Sequence, residues 1–262
     1  MGHCAVAKDL DKVRTPEEKE LEEKLAELAA LKANIAQREL ELATLTTELS
    51  EFEARYLGAV GHKFAELDAL NAEIAEHLVS LDPADGVAEA AAWAAREQAE
   101  RSAKEAGTMD APTSKERFAP TKELQELYRD LAKKVHPDLA IDEDDRDRRN
   151  RIMAEVNRAY SEGDVNRLQE ILEDWQASSE AIQGEDVGAR LVRAIRMIAR
   201  VKQRIRLIDE EMQSFMMAEL YELKLKFDEA EQEGGDLFEQ LVADVDAQIE
   251  LARSRLDEMQ AI

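Results

Sequence analysis

A histidine and an aspartate flank a proline at His136-Pro137-Asp138. An imidazole can donate, accept or carry a proton near neutral pH, and a carboxylate accepts hydrogen bonds from cations or amides. The residue before a proline is driven out of the α region, so His136 must end any helix that precedes it. Pro137 fixes φ and donates no hydrogen bond, which stiffens the turn. The spacing therefore predicts an imidazole and a carboxylate held together on a rigid, exposed loop, an arrangement suited to recognition. On that reading, exchanging His136 or Asp138 leaves the fold intact. The plain alternative is a proline helix stop followed by an acidic loop.

The elements that must position the tripeptide lie on either side of it. Leu124, Leu127, Tyr128, Leu131, Ala132 and Val135 recur with helical spacing and form one apolar stripe, with Lys122, Arg129, Lys133 and Lys134 on or beside the opposite face. Beyond the loop, Met153, Val156, Ala159 and Tyr160 form a second stripe. Two helices with facing stripes and a short connection pack antiparallel, which sets the tripeptide at the turn.

The run Tyr128-Arg129-Asp130-Leu131-Ala132-Lys133-Lys134-Val135-His136-Pro137-Asp138 closely resembles the second helix and loop of a J-domain, the module of DnaJ-type co-chaperones. Met153-Ala154-Glu155-Val156-Asn157-Arg158-Ala159-Tyr160 is similar to its third helix. The resemblance covers roughly a fifth of the chain. It implies binding to a DnaK-type chaperone ATPase and stimulation of ATP hydrolysis through His136, Pro137 and Asp138. It also implies that Arg129, Lys133 and Lys134 are the basic docking face. The family's short first helix, with its Tyr-x-x-Leu-Gly signature, is not visible upstream. The capping box Thr113-Ser114-Lys115-Glu116 is the candidate substitute, which sets the J-like unit at 113–176. Gly163 stands where a leucine is common in the family. Here it is expected to close the third helix, with Asp164 capping a fourth whose buried edge is Val165, Leu168, Leu172 and Trp175.

Composition bounds the rest. Charged residues reach 36% and aromatics only 5%. With sparse glycine and proline and heptad-like spacing, this predicts an all-α chain in which long coiled-coil or helical-bundle arms flank the central hairpin. A net charge of −24 disfavours nucleic acid and anionic membrane surfaces as partners. The single cysteine, Cys4, permits no internal disulfide and fits a reducing cytoplasm. No apolar run is long enough to span a bilayer, and no signal peptide is seen. His3 and Cys4 at a terminus make no metal site, and the methionines read as core filler. No nucleophile–base pair, phosphate-binding glycine loop or metal-ligand spacing appears, so neither enzymatic activity nor a cofactor is expected.

Along the chain, residues 1–14 carry no pattern and read as a disordered N-terminus. Thr15-Pro16-Glu17-Glu18 marks a helix start. One long coiled-coil helix is expected over 15–81, bent where Gly58 and Gly61 weaken it. Asp82-Pro83-Ala84-Asp85-Gly86 stops it. An Ala- and Glu-rich helix follows at 87–106, with Trp93 as its large anchor, and Ala177 to Gly184 reads as a linker. Residues 185–261 are expected to form a C-terminal helical hairpin. Its first stripe includes Leu191, Ile195, Ile198, Val201, Ile205, Ile208, Met212, Phe215 and Leu223, and Gly234-Gly235 folds the last helix back. Antiparallel pairing with the N-terminal helix would bring Leu81 near Asp186 and set the J-like unit at the tip of a stalk. The cluster Arg190, Arg193, Arg196, Arg200, Lys202, Arg204 and Arg206 reads as charges that flank the seam and meet N-terminal glutamates. The expected function is a co-chaperone whose arms serve client binding or homo-oligomerisation. The alternative is a coiled-coil scaffold or adaptor whose J-like unit docks a partner without stimulating it.

Overall fold

The computed structural model describes residues 15–107, 117–178 and 186–261, and every regular element among them is helical. The chain is all-α. The tail with His3 and Cys4, the capping box at Thr113–Glu116 and residues 179–184 of the linker lie outside the described residues. No described helix is long and apolar enough to cross a membrane.

Helix α1 (Pro16–Leu81) starts where the sequence marks it. Thr15 Oγ1 accepts the Glu18 N–H at 3.2 Å, and Glu18 returns the bond by accepting the Thr15 N–H at 2.9 Å. The helix is unbroken through Gly58 and Gly61. Leu21, Leu28, Ile35, Leu42 and Leu49 are buried at seven-residue spacing, the signature of a helix that shares a seam with a partner. The described residues divide into two compact units. The first joins residues up to Thr44 with Pro120–Gln213, and the second joins Leu45–Ala119 with Ser214–Ile262.

In the first unit, α3 (Lys122–Val135) and α4 (Glu143–Ser161) form the expected antiparallel hairpin. Tyr128 bonds Asn157 while Lys134 meets Arg149, so residue numbers rise on one helix as they fall on the other. Both predicted stripes are buried except for Leu127, which is half-buried, with Leu124, Tyr128, Leu131 and Val135 facing Met153, Val156, Ala159 and Tyr160. The two tyrosine rings meet at 4.8 Å between centroids. Gly163 closes α4 at φ +70°, and Asp164 caps α5 (Val165–Ser178) by accepting the Arg167 N–H at 2.9 Å. Leu168 and Ile171 carry α5 into the core, while Val165, Leu172 and Trp175 are only half-buried.

Helix α6 (Val187–Met216) lies along α1 in this unit, but in the parallel sense. Glu27 pairs with Lys202 at 2.6 Å, and Arg38 pairs with Asp209 further on in both helices at 3.3 Å. The antiparallel expectation is overturned, and so is the stalk-tip position. The hairpin packs against residues 37–44 of α1, through bonds such as that between Thr44 and the Tyr160 hydroxyl at 2.7 Å. Ile195, expected in the seam, is exposed, and Ala194 and Met197 are buried instead.

The second unit repeats the parallel sense. Glu48 pairs with Lys224 of α7 (Glu219–Gln232). Further along α1, Lys63 pairs with Asp246 and His77 meets the Met259 carbonyl, both on α8 (Leu237–Gln260). The expected fold-back at Gly234-Gly235 is therefore a jog, after which α8 continues in the direction of α1. The return path that the antiparallel reading gave to these helices belongs to α2 (Gly86–Gly107), whose Arg96 meets Glu76 and whose Ser102 meets Asp68. Trp93 does not anchor α2; its ring is exposed. The helix turns Ala88, Ala92, Ala95, Ala99, Ser102 and Ala106 inward as a small-residue stripe. Phe52, Tyr56, Phe227 and Phe238 form an aromatic cluster. Leu67, Ile74, Val245, Ile249 and Leu256 extend the core along α8.

The His-Pro-Asp loop as candidate functional site

His136 leaves α3 at φ −56° and ψ 132°, the extended conformation that Pro137 imposes on its neighbour. Pro137–Leu139 then makes one 3₁₀ turn, closed by the Ala140 N–H on the Pro137 carbonyl at 3.1 Å. His136 Nδ1 accepts the Asp138 N–H at 3.1 Å, so the imidazole caps the turn that it begins. With Nδ1 serving as acceptor, Nε2 is the nitrogen that donates, and it donates to Glu39 Oε1 at 3.0 Å.

His136 is only 1% exposed and Glu39 only 5%. This corrects the expectation of an exposed imidazole. Proline does set a turn here, but α1 and α6 cover it. The α6 residue Arg204 donates to both oxygens of Glu39, at 2.8 and 3.3 Å, in the fork geometry that makes arginine–carboxylate pairs strong. Burial pushes the Glu39 carboxyl up, but hydrogen bonds from His136 and Arg204 outweigh it and hold the group below the usual carboxylate range. Arg200, one turn earlier on α6, donates to the Ala140 carbonyl at 2.8 Å. The Tyr128 hydroxyl donates to Asn157 Oδ1 at 2.8 Å, with the Glu39 carbonyl 3.3 Å away. Burial raises the Tyr128 phenol well above its ordinary value. Behind the turn, Arg149 donates to the Lys134 carbonyl at 2.8 Å, pairs with Asp145 at 2.8 Å and stacks over the Trp175 ring at 4.9 Å. It thereby satisfies a backbone acceptor at the C-terminal end of α3.

The remaining site residues are distributed unevenly. The Asp138 carboxylate, at 23% exposure, opens onto a cleft of about 470 Å³ lined also by Arg146, Asn150 and Asn157. Lys134 is exposed, and Lys133 is partly so, 3.9 Å from Asp130. Arg129 is separated from the lysines in its use, since it turns to α1 and donates to Gln37 at 3.4 Å. The tripeptide and two lysines thus share one end of the hairpin, while the third predicted cation belongs to the packing against α1. Among the described residues no group of histidine, cysteine, aspartate and glutamate side chains could hold a metal ion. The arrangement can latch and recognise.

Of the two residues that matter most here, Glu39 is absent from the sequence reading, and Arg204 enters it only as one of the basic charges that flank the seam, with no link to His136. Their signal lies in the stripes themselves. Glu39 falls between Ile35 and Leu42 at seam spacing, and Arg204 falls between Val201 and Ile208 in the same way. A charge at a seam position needs an internal partner, and each of these supplies the other's. The basic cluster divides accordingly. Lys202 and Arg204 meet glutamates of α1 as expected and Arg200 holds a backbone carbonyl, whereas Arg190 and Arg196 are exposed.

No family model, curated protein or solved structure matches the chain.

Proposed function

We propose that the chain is a co-chaperone of the J-domain type, recruiting a cytoplasmic DnaK-type chaperone ATPase and stimulating its ATP hydrolysis through the His-Pro-Asp loop. The observation that carries the reading is the hairpin. The residues that resemble the J-domain helices fold as an antiparallel pair whose connection begins with His136-Pro137-Asp138. Lys133 and Lys134 lie beside that connection in an acidic protein, and Asp138 opens onto an adjoining cleft. Electrostatic complementarity of this kind chiefly raises the rate and selectivity of association. The apolar faces of the hairpin are covered by α5, and α1 meets it through Gln37, Glu39 and Thr44. Client binding and homo-oligomerisation through the remaining helices are part of the same proposal.

A second reading has its own support. Both ring nitrogens of His136 are used inside the chain. A scaffold whose J-like hairpin docks a partner without stimulating it has that use for the histidine, as an internal anchor. The two readings separate in one experiment with the full chain and the DnaK-type ATPase from the same cell. ATP-dependent binding is measured together with hydrolysis, using the wild type and Asp138→Asn. The co-chaperone reading expects binding and acceleration, both lost in the variant. Binding without acceleration, unchanged in the variant, establishes the scaffold.

A further inference from the structure

Resting on the co-chaperone reading, we infer that Glu39 of α1 and Arg204 of α6 form an intramolecular clamp that holds the His-Pro-Asp loop closed, and that a partner engages His136 only after the clamp opens. The loop is restrained by groups from outside its own hairpin. Glu39 takes the His136 imidazole, Arg204 locks Glu39, and Arg200 holds the Ala140 carbonyl just past the turn. The hairpin does not depend on these bonds for its own closure. Tyr128 with Asn157, Arg149 with the Lys134 carbonyl, and the facing apolar stripes already close it. The clamp is an addition to the fold.

Its chemistry is that of a latch. Replacing a buried ion pair by well-packed apolar residues is often neutral or stabilising, so a charge pair at two seam positions is a poor choice for stability alone. Leucines at 39 and 204 would complete both stripes. The polar pair instead makes the α1–α6 contact specific and tied to the histidine. Helix α6 is also fastened along one side. Its opposite face, with Ala189, Val192, Ile195, Arg196 and Ala199, is exposed, and the Arg200 Nε is buried with no hydrogen-bond partner among the described residues. An element with one packed side and an incompletely satisfied anchor is among the first to open locally. A partner that needs the open form binds with an apparent affinity lowered by the fraction that is open.

The test uses the full chain with Arg204→Met, which removes the cation and keeps an apolar side chain, and Glu39→Gln as a second variant in case the first folds poorly. His136 accessibility is read by carbethoxylation and mass spectrometry, with exposed His62 as the internal reference. Hydrolysis by the DnaK-type ATPase of the same cell is measured in parallel. Losing charge-assisted bonds of this kind should raise His136 labelling and lower the concentration for half-maximal stimulation by about tenfold. Adding His136→Gln to either variant should abolish the stimulation. Equal stimulation by wild type and both variants, with His136 protected throughout, overturns the clamp and leaves the co-chaperone reading standing. Labelling that rises with no stimulation by any form overturns the co-chaperone reading and the inference with it. Labelling already as fast as that of His62 in the wild type overturns the clamp alone.

Discussion

His136→Ala gives the sharpest contrast between a residue on an exposed turn and one inside the fold. For a surface position the substitution changes stability by no more than about 0.5 kcal/mol. In the structure it deletes a hydrogen bond to the buried Glu39 carboxylate at 3.0 Å and the acceptor for the Asp138 N–H at 3.1 Å. A bond to a charged group contributes about 1.5–3 kcal/mol and a neutral one about 0.5–1.5, so the loss is about 3 kcal/mol before any packing cost. The assay is urea unfolding followed by Trp175 fluorescence in a Trp93→Phe background, since the chain has two tryptophans and Trp93 is exposed. With a slope of about 2 kcal/mol per molar urea, the midpoint should fall by about 1.5 M. Asp138→Asn, whose carboxylate is 3.9 Å from the nearest His136 nitrogen, should stay within about 0.5 kcal/mol of the wild type. Indistinguishable midpoints for His136→Ala and the wild type would refute the buried latch.

Three further outcomes are expected. Glu39 ionises in the folded chain below its ordinary value of 4.5, so its contribution is full above that value and is lost as the pH falls through the lower folded value. Between about pH 5 and pH 3 the wild type should therefore lose more stability than Glu39→Gln, as measured by urea midpoints along the series. Phe227→Ala empties the aromatic cluster with Phe52, Tyr56 and Phe238 and should cost about 3–5 kcal/mol, seen as faster amide exchange in α7 and α8. Reversing Lys133 and Lys134 together to glutamate should slow association with the DnaK-type ATPase and flatten its salt dependence in stopped-flow measurements. Unchanged kinetics would mean that this face is merely solvated.

Helix positions were largely legible in the sequence because their signals are local. The capping box at Thr15, the stripes at 124–135 and 153–160, and the stop and restart at Gly163 and Asp164 all depend on neighbours within one turn. The sense of pairing was not legible, because an apolar stripe reads the same from either end. The α2 contact was missed for another reason: Trp93 outweighs alanine in any hydrophobicity reading, yet the face that α2 turns inward is the alanine face and Trp93 is exposed. Gly234-Gly235 marked a true break but not its direction. Met217 and Ala218, between α6 and α7, interrupt what reads as one stripe, and neither glycine nor proline marks the place. At the loop, the conformation of His136 followed from Pro137, while its burial depends on Glu39 and Arg204, far away in sequence. Those two charges on apolar stripes were the available sign that something polar had to be enclosed.

The central claim is tested most directly by single-turnover ATP hydrolysis in the DnaK-type ATPase of the same cell, titrated with the full chain carrying Arg204→Met. The account predicts a saturable acceleration that exceeds the wild type at low concentration and disappears when Asp138→Asn is added. A flat titration with the wild type, Arg204→Met and Glu39→Gln alike, each with its helical content intact, would contradict it.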